Sequence, residues 1–471
     1  MSNPTPRSFF HSFLMVLFSI VVLIAISLIN LEYERGEISI KNFNLFADIV
    51  KSKSEIPAPI VGDTLAVTDS TRVDSLSVLA SDSMKIVDFG KDTIGGLAHF
   101  FEVLISHKGA HKKIRIAYFG DSMIEGDLLT QDLRKLLQKR YGGKGVGLVP
   151  ITSNNAGFRQ SIRHTFSENW STYSLLDKTT ADKPLGLTGF GFIPQQSNVD
   201  SANLSENSCW IKYTAVQRAG LDKFHSIKLF YGKSADGNYL EYNNGYGNKT
   251  AKLNGTNSVN EAILNEKIPT QSFYGVFNCK APTPIYAMSF ESDSGTFVDN
   301  FAFRGNSGMP LTKIPYSVLS GFNNYLHYDL IILHYGLNAT NPKVTDYSWY
   351  EKGLNNMVAH LKNAFPNTSI LVVSVNDKSY KKDGEYITDP SVPLIVDVEK
   401  RVAEKNKVAF WNLYEAMGGY NSMVSWVTAD TALANKDYTH PNYRGATKIA
   451  TMLYNELNKE LDEYKKNKEG I

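Results

Sequence analysis

The sequence contains little cysteine: Cys209 and Cys279 are the only two among 471 residues. Two cysteines cannot form a cysteine-rich zinc site or the framework of a disulfide-stapled scaffold, so both classes are excluded. Because the two residues lie in one segment of the chain, they could pair outside the cytoplasm. They could equally be buried as small apolar residues, and the sequence leaves that choice open.

An excess of charge of one sign is also missing. The chain has 49 basic and 47 acidic residues, which gives a formal net charge of +2. No block or stripe of lysine and arginine stands out, and such a stripe is the electrostatic footprint of a nucleic-acid-binding protein. We therefore expect no nucleic-acid partner.

The N-terminal part, in contrast, has a long apolar run. Residues 9–29 are almost wholly apolar, and about 20 such residues suffice for a helix that crosses a bilayer. Arg7 precedes the run and acidic residues follow it, which predicts a cytoplasmic N-terminus over residues 1–8. We expect a transmembrane anchor at residues 9–30, with the rest of the chain outside the cytoplasmic membrane. A cleaved signal peptide is the alternative.

A polar stretch separates this run from the folded body. From about residue 51 to residue 90 the chain contains Pro57, Pro59 and many serine, threonine and aspartate residues. Such a composition is typical of a flexible tether. We therefore predict a linker over residues 31–92.

Strand-like and helix-like segments alternate in the body before residue 160 and after residue 301. The run Ile114–Phe119 is β-rich and ends at Gly120, and leucines at helical spacing follow it. This order predicts an α/β domain with a parallel sheet and helices on both faces, formed by residues 93–160 and 301–471. The later segments are strands at 330–333, 369–375 and 408–413 and helices at 350–365, 394–405 and 443–464.

Between these two parts, residues 161–300 have a different pattern. Helical periodicity nearly disappears, and short aromatic and β-branched runs alternate with clusters of glycine, asparagine, aspartate and serine. Several short strands with turn signals between them are typical of a β-sandwich. We predict a β-sandwich inserted into the α/β domain.

A serine follows the first predicted strand of the body, in Gly120-Asp121-Ser122. In open α/β sheets, ligands bind at the carboxyl ends of the strands. A serine that precedes a helix there gains backbone N–H groups that can hold an oxyanion. The tripeptide alone is weak support, because a turn that caps the next helix could have the same sequence.

The segment Asp437-Tyr438-Thr439-His440-Pro441 supplies the groups that a serine nucleophile needs. A histidine serves as the base, and an acidic residue fixes its tautomer. The spacing lets the Asp437 carboxylate and the His440 ring meet across one turn. The alternative is an aspartate cap beside a surface histidine. Ser122, His440 and Asp437 are therefore the candidate catalytic residues.

Two further residues are candidates for binding a developing oxyanion. Asn338, in Gly336-Leu337-Asn338, follows a predicted strand and can present its amide at the same sheet edge as Ser122. Gly305 could offer a backbone N–H with no side chain in the way. Each alone could be an ordinary turn residue, but the chain order Ser, Gly, Asn, Asp-x-x-His argues against coincidence.

Taken together, these four blocks resemble those of the SGNH (GDSL-like) hydrolases. The resemblance implies a flavodoxin-like three-layer α/β/α fold, with Ser122 as nucleophile, His440 as general base and Asp437 as the residue that orients it. It also implies an oxyanion hole formed by the Ser122 N–H, the Gly305 N–H and Asn338. It implies neither a metal nor a cofactor.

The resemblance covers roughly residues 95–460. Met123 stands where leucine is common in the family, and Ala339 stands where an acidic residue is frequent. Neither departure removes a chemical group that the mechanism needs.

The insertion makes the layout similar to that of bacterial peptidoglycan O-acetylesterases, whose inserted module resembles a carbohydrate-binding domain. This implies a serine esterase acting on an O-acetylated envelope glycan at the periplasmic side of the bacterial cytoplasmic membrane. The strongest alternative is a glycan O-acetyltransferase with the same triad and a membrane-embedded acyl-donor partner. A non-catalytic glycan-binding protein is a further alternative, and so is a lipase or thioesterase.

Overall fold

The computed structural model describes residues 17–18, 33–35, 38–40, 84–91, 93, 95–106, 112–178, 183–195, 208–266 and 268–470. The chain divides into two compact units, Met1–Ser70 and Thr71–Ile471. In the first unit, the strand Tyr33–Arg35 pairs with Ile38–Ile40 in an antiparallel hairpin.

The predicted anchor at residues 9–30 lies outside the described residues, apart from Leu17 and Phe18, which are helical. Most of the predicted linker at residues 31–92 lies outside them as well. Within the described ranges, no helix combines the length and the apolar character needed to span a bilayer.

A six-stranded sheet forms the centre of the second unit. Its strand Ile86–Asp88 is antiparallel at one edge, and all its other strands are parallel. Parallel strands covered on both faces are apolar along their length, and the central strands here are buried at almost every position. From the opposite edge the spatial order is Gly295–Ala302, Lys113–Gly120, Leu330–His334, Ser369–Val373 and Ala409–Trp411.

The order of the parallel strands is the flavodoxin-like arrangement, in which the first of them, Lys113–Gly120, lies between the second and the third. The sheet grows in opposite directions from Lys113–Gly120, and right-handed crossovers then place the connecting helices on opposite faces. The α/β fold predicted from the alternation of segments is therefore confirmed.

Two groups of helices cover the sheet. In one group, the long C-terminal helix Tyr443–Glu469 packs on Thr130–Tyr141 and Ala98–Ser106. The other group packs side by side in the order Tyr316–Leu326, Ser348–Ala364 and Ser391–Asn406. Among the described residues of this unit, two further α-helices are Leu413–Met417 and Ser422–Thr428, and short 3-10 helices span Ser122–Asp127, Ala156–Phe158, Met309–Lys313 and Leu337–Ala339.

Two antiparallel sheets form the inserted β-sandwich. One sheet has the order Asn260–Asn265, Ser226–Tyr231, Ile285–Glu291, Phe190–Pro194 and Trp170–Ser174, with Gly147–Pro150 also paired to Ile285–Glu291. The other has the order Asn248–Lys252, Tyr239–Asn243, Ser272–Asn278, Cys209–Thr214 and Arg163–Phe166. A separate hairpin joins Ser379–Lys382 to Glu385–Thr388.

Aromatic side chains from both sheets fill the interior of the sandwich. The rings of Tyr213 and Phe290 lie 4.8 Å apart across it, and those of Trp170 and Phe277 lie 5.1 Å apart. Such pairs contribute about 0.5–1.5 kcal/mol each beyond the burial of their area. Both cysteines are thiols here, and the buried Cys209 thiol donates to the Asn169 carbonyl.

The pairing of two strands does not follow the limits of residues 161–300 that the sequence predicts for the insertion. Gly147–Pro150, earlier in the chain, pairs with the sandwich strand Ile285–Glu291, whereas Gly295–Ala302 pairs with the parallel sheet. Gly147–Pro150 is short and apolar, and Gly295–Ala302 is buried although it contains Asp299 and Asn300, so periodicity could not assign either strand to a sheet. Only pairing across the fold does. The domain limits themselves stay predictions.

The chain enters and leaves the sandwich at one point. The Thr296 N–H donates to the Gly142 carbonyl at 2.9 Å. Gly143 and Gly295 have φ of 106° and 101°, and a Cβ added to Gly295 would collide with the Gly143 backbone. Glycine at these positions allows the two backbones to approach this closely.

Candidate functional site

The ends of neighbouring strands bring the candidate residues together. In the sheet register, Gly120 is level with Ala302 on one side and with His334 on the other. The segments that hold Ser122, Gly305 and Asn338 therefore leave the sheet at the same edge, which is where open α/β sheets bind their ligands.

Ser122 begins a tight 3-10 turn rather than the helix that the sequence predicts directly after it. Asp121 caps this turn, because its Oδ1 accepts the Met123 N–H at 3.0 Å. Gly126, with φ of 64°, interrupts the turn before the helix Thr130–Tyr141 begins. The turn leaves Ser122 partly exposed while Asp121 is fully buried.

A buried ion pair attaches this turn to the helix that follows. Both carboxylate oxygens of Asp127 accept hydrogen bonds from Arg134, at 3.0 and 3.1 Å, and both side chains are buried. Burial acts to raise the pKa of Asp127, but Arg134 and Arg159 hold it well below its usual range. Asn300, on the neighbouring strand of the sheet, also holds the turn, because its Nδ2 donates to the Ile124 carbonyl at 2.6 Å.

The serine, the histidine and the aspartate form one hydrogen-bonded chain. Ser122 Oγ lies 2.9 Å from His440 Nε2, and His440 Nδ1 lies 2.8 Å from Asp437 Oδ2. Asp437 Oδ1 also accepts the His440 backbone N–H at 3.0 Å. Partial burial acts to raise the pKa of Asp437, but its hydrogen bonds from His440 and from the Thr439 N–H lower it overall. Asp437 is thus an ionised acceptor that can fix the tautomer of the ring.

Asn338 is joined to this site through Asp121. Its Nδ2 donates to Asp121 Oδ2 at 2.9 Å and to the Asn306 carbonyl at 3.1 Å. Burial raises the pKa of Asp121 to about 6, against the lowering effects of the Met123 N–H, the charge of His440 and Asn338. Gly305, next to Asn306, is exposed and has φ of 78°. Gly305 and Asn338 both follow strand ends at the same edge of the sheet.

Three contacts fix the loop that holds the histidine. Asn376 Nδ2 donates to the Thr439 carbonyl at 3.0 Å, and the Ser379 N–H donates to the Tyr438 carbonyl at 2.9 Å. The ring of Tyr438 stacks on Tyr386, with centroids 3.7 Å apart. Tyr438 has φ of 54°, a left-handed conformation that costs free energy in a non-glycine residue and therefore needs such support.

Sequence reasoning did not identify Asn376 or Tyr386. Asn376 follows the strand Ser369–Val373, so its position at the carboxyl end of a predicted strand was a usable signal. Tyr386 lies on a hairpin that has no sequence relation to the His440 loop, and no signal pointed to it. Asp121 was recognised only as part of a tripeptide, not as the partner of Asn338.

No protein-family model matches the chain, and no curated protein matches it either. Among solved structures, a peptidoglycan O-acetylesterase is similar, with a TM-score of 0.63 and 22% identity over 80% of this chain and 99% of that one. The two proteins share a fold. The expected α/β fold, with the layout of a peptidoglycan O-acetylesterase, is thereby confirmed.

Two other carbohydrate esterases are similar at low scores. A family two carbohydrate esterase from Clostridium thermocellum has a TM-score of 0.27 and 9% identity over 64% of this chain and 99% of that one. An acetyl xylan esterase has a TM-score of 0.28 and 18% identity over 34% and 80%. Scores this low carry no weight for the fold or the chemistry.

Proposed function

We propose that this protein is a serine esterase that removes O-acetyl groups from a cell-envelope glycan through an acyl-Ser122 intermediate. The observation that carries the proposal is the hydrogen-bonded chain from Ser122 Oγ through His440 to Asp437. A hydroxyl that contacts Nε2 of a histidine, whose Nδ1 is fixed by a carboxylate, is activated for attack on an ester. The fold shared with a peptidoglycan O-acetylesterase supports an acetylated glycan as the substrate.

The reaction has two steps, with His440 moving the proton in each. First, Ser122 Oγ attacks the acetyl carbonyl carbon while His440 Nε2 takes its proton. The carbon–oxygen bond to the sugar then breaks, and the same proton goes to the leaving sugar oxygen. In the second step, His440 takes a proton from water, the resulting hydroxide attacks acetyl-Ser122, and the proton returns to Oγ as acetate leaves. Asp437 stabilises the imidazolium in both.

Asn338 and Gly305 would stabilise the negative charge that develops on the carbonyl oxygen. Both N–H groups of Asn338 already have acceptors, Asp121 at 2.9 Å and the Asn306 carbonyl at 3.1 Å. We expect the longer bond, to Asn306, to be exchanged for the oxyanion while Asp121 keeps the amide oriented. Gly305 N–H and Ser122 N–H complete the predicted oxyanion hole.

The test compares the wild-type protein with Ser122→Ala and His440→Ala. Each is incubated with O-acetylated peptidoglycan, and separately with an activated acetyl ester plus a glycan acceptor. Both substitutions should lower turnover on the order of a thousandfold or more, with an unchanged melting temperature because neither residue is in the core. An active Ser122→Ala protein contradicts the proposal.

The product distinguishes the esterase from the transferase alternative. Free acetate released from the glycan in a Ser122-dependent reaction supports the esterase. Acetylated acceptor with little free acetate indicates an O-acetyltransferase, and a membrane-embedded acyl donor would then be sought.

We also propose that residues 9–30 anchor the protein in the cytoplasmic membrane, with the catalytic unit on the periplasmic side. The support is the apolar run with Arg7 before it. The intact protein should resist extraction by alkaline carbonate, and deletion of residues 1–30 should release it. A truncated protein that stays in the membrane fraction argues against the anchor.

A further inference from the structure

A cavity of about 530 Å³ lies beside the turn that holds Ser122. Glu125 and Gly126 of that turn line one side, and the strand end up to Arg304, next to Gly305, lines another. The sandwich closes the rest. A volume of this size accommodates a small molecule or one sugar unit with its substituents. A glycan bound with its acetyl group at Ser122 can therefore extend into it.

The walls combine an apolar part with many short polar side chains. The rings of Phe190 and Phe303 stack with centroids 4.4 Å apart and form part of the wall. Threonine, serine and asparagine side chains line much of the remainder: Thr152, Ser153, Asn154, Asn155, Thr172, Ser174, Thr188 and Asn300. A few polar groups set in an apolar wall are typical of a ligand site.

The charged residues of the lining are Glu125, Arg159 and Arg304. The carboxylate of Glu125 is already used, because it accepts hydrogen bonds from Arg304 and from Asn155. These two opposite charges compensate each other. The positive charge of Arg159 has no such compensating charge among the residues that line the cavity.

Within the part of the chain that the structure describes, the Arg159 guanidinium has no hydrogen bond and no ion pair. Asp127 attracts it, but the oxygens of Asp127 already bind Arg134, Thr130 and Ser161. Burial lowers the pKa of Arg159, with Asp127 opposing the shift. A half-buried guanidinium whose N–H groups have no acceptor in the protein can bind a negative charge that a ligand brings.

We infer that the cavity binds a carboxylate carried by the glycan and that Arg159 is the residue that recognises it. The inference rests on the proposed function. It narrows the substrate class to O-acetylated glycans that carry a carboxylate, in preference to uncharged ones. A guanidinium binds a carboxylate through parallel N–H···O bonds, which makes it suited to this task. The carboxylate could belong to a sugar ring or to a peptide attached to the sugar.

The test uses the full-length protein and its Arg159→Gln, Arg159→Lys and Arg163→Gln variants. Arg163 is exposed on a sandwich strand and does not line the cavity, so Arg163→Gln is the matched control. The substrates are O-acetylated peptidoglycan fragments, the same fragments with their carboxylates converted to amides, and 4-nitrophenyl acetate. An O-acetylated uronic-acid oligosaccharide, whose carboxylates are on the sugar ring, tests whether Arg159 recognises a ring carboxylate or a carboxylate of the attached peptide.

Arg159→Gln should raise KM for the carboxylate-bearing fragments about tenfold or more, with little change in kcat. For the amidated fragments and for 4-nitrophenyl acetate, any loss in Arg159→Gln should be much smaller than the loss on the carboxylate-bearing fragments. Arg159→Lys should recover part of the loss, and Arg163→Gln should match the wild type. An equal loss on both kinds of fragment, or none, overturns the inference.

Two measurements keep the test independent of folding and of the proposed function. The wild type alone should prefer carboxylate-bearing fragments to amidated ones, and a wild type that does not discriminate contradicts the inference even if Arg159→Gln fails to fold. Binding of carboxylate-bearing fragments to the Ser122→Ala protein, measured by calorimetry, does not require turnover. If this binding depends on Arg159 but the wild type releases no acetate from the fragments, the esterase proposal is rejected and the carboxylate site is retained.

Discussion

Ser122 and the Asp437–His440 pair are held in the site by different means. Buried polar side chains hold the serine turn in place. They are Asp121, Asp127, Arg134 and Asn300, each less than a tenth exposed. The histidine loop lies at the surface, where the side chains of Asp437 and His440 are 48% and 29% exposed. The nucleophile is therefore positioned by buried polar groups directly around its turn, whereas the base lies on a surface loop that is held by contacts of its backbone and of Tyr438.

The largest effect should come from breaking the buried support of the serine turn. Arg134→Gln leaves the Asp127 carboxylate buried without its cation, which should cost about 3–5 kcal/mol of unfolding free energy. Urea unfolding measures this loss. The exposed pair of Arg401 and Glu351 is the control, since Arg401→Gln should cost at most about 1 kcal/mol. Equal losses for the two variants would mean that burial does not distinguish the two pairs.

A smaller effect should follow from removing Asn338, which connects the exposed face of the site to buried Asp121. Asn338→Ala should lower kcat on the order of a hundredfold or more, because an oxyanion donor acts in the transition state. KM should change little, and steady-state kinetics on an acetyl ester separates the two parameters. Asn455→Ala, at an exposed position of the last helix, serves as the control. A pure KM effect would assign Asn338 to substrate binding instead.

The smallest effect should come from the histidine loop. Tyr386→Ala removes the ring that stacks on Tyr438 and should lower kcat about two- to tenfold, the range that one aromatic pair supports. The unfolding free energy should fall by at most about 1.5 kcal/mol, because Tyr386 is exposed on a hairpin and makes one aromatic pair. Tyr386→Phe keeps the stacking and should behave as the wild type. A loss in Tyr386→Phe as large as in Tyr386→Ala would assign the role to the hydroxyl.

Local patterns in the sequence predict the candidate site residues that lie next to the end of a strand or the start of a helix. Ser122 and Asn338 follow predicted strands, whereas the Asp437–His440 pair precedes the last helix, and the structure brings these residues together. Chain order alone also separates the α/β part from the sandwich. These are local patterns, and each is visible within a short window of residues.

The supporting contacts could not be predicted, because they depend on pairing between distant segments. The stacking of Tyr386 on Tyr438 and the bond from Asn376 to the Thr439 carbonyl join loops that no local pattern relates. The sandwich strand Gly147–Pro150 was missed for the same reason, since only its neighbour reveals its sheet.

The hydrogen bond between Thr296 and Gly142, where the chain enters and leaves the sandwich, bears on how the protein folds. The strands Lys113–Gly120 and Gly295–Ala302 are neighbours in space but far apart in the chain, so pairing them first would require closing a long loop. If the sandwich folds first, it brings the ends of that loop together. We therefore expect the insertion to serve as a folding nucleus that lowers the effective contact order of the sheet.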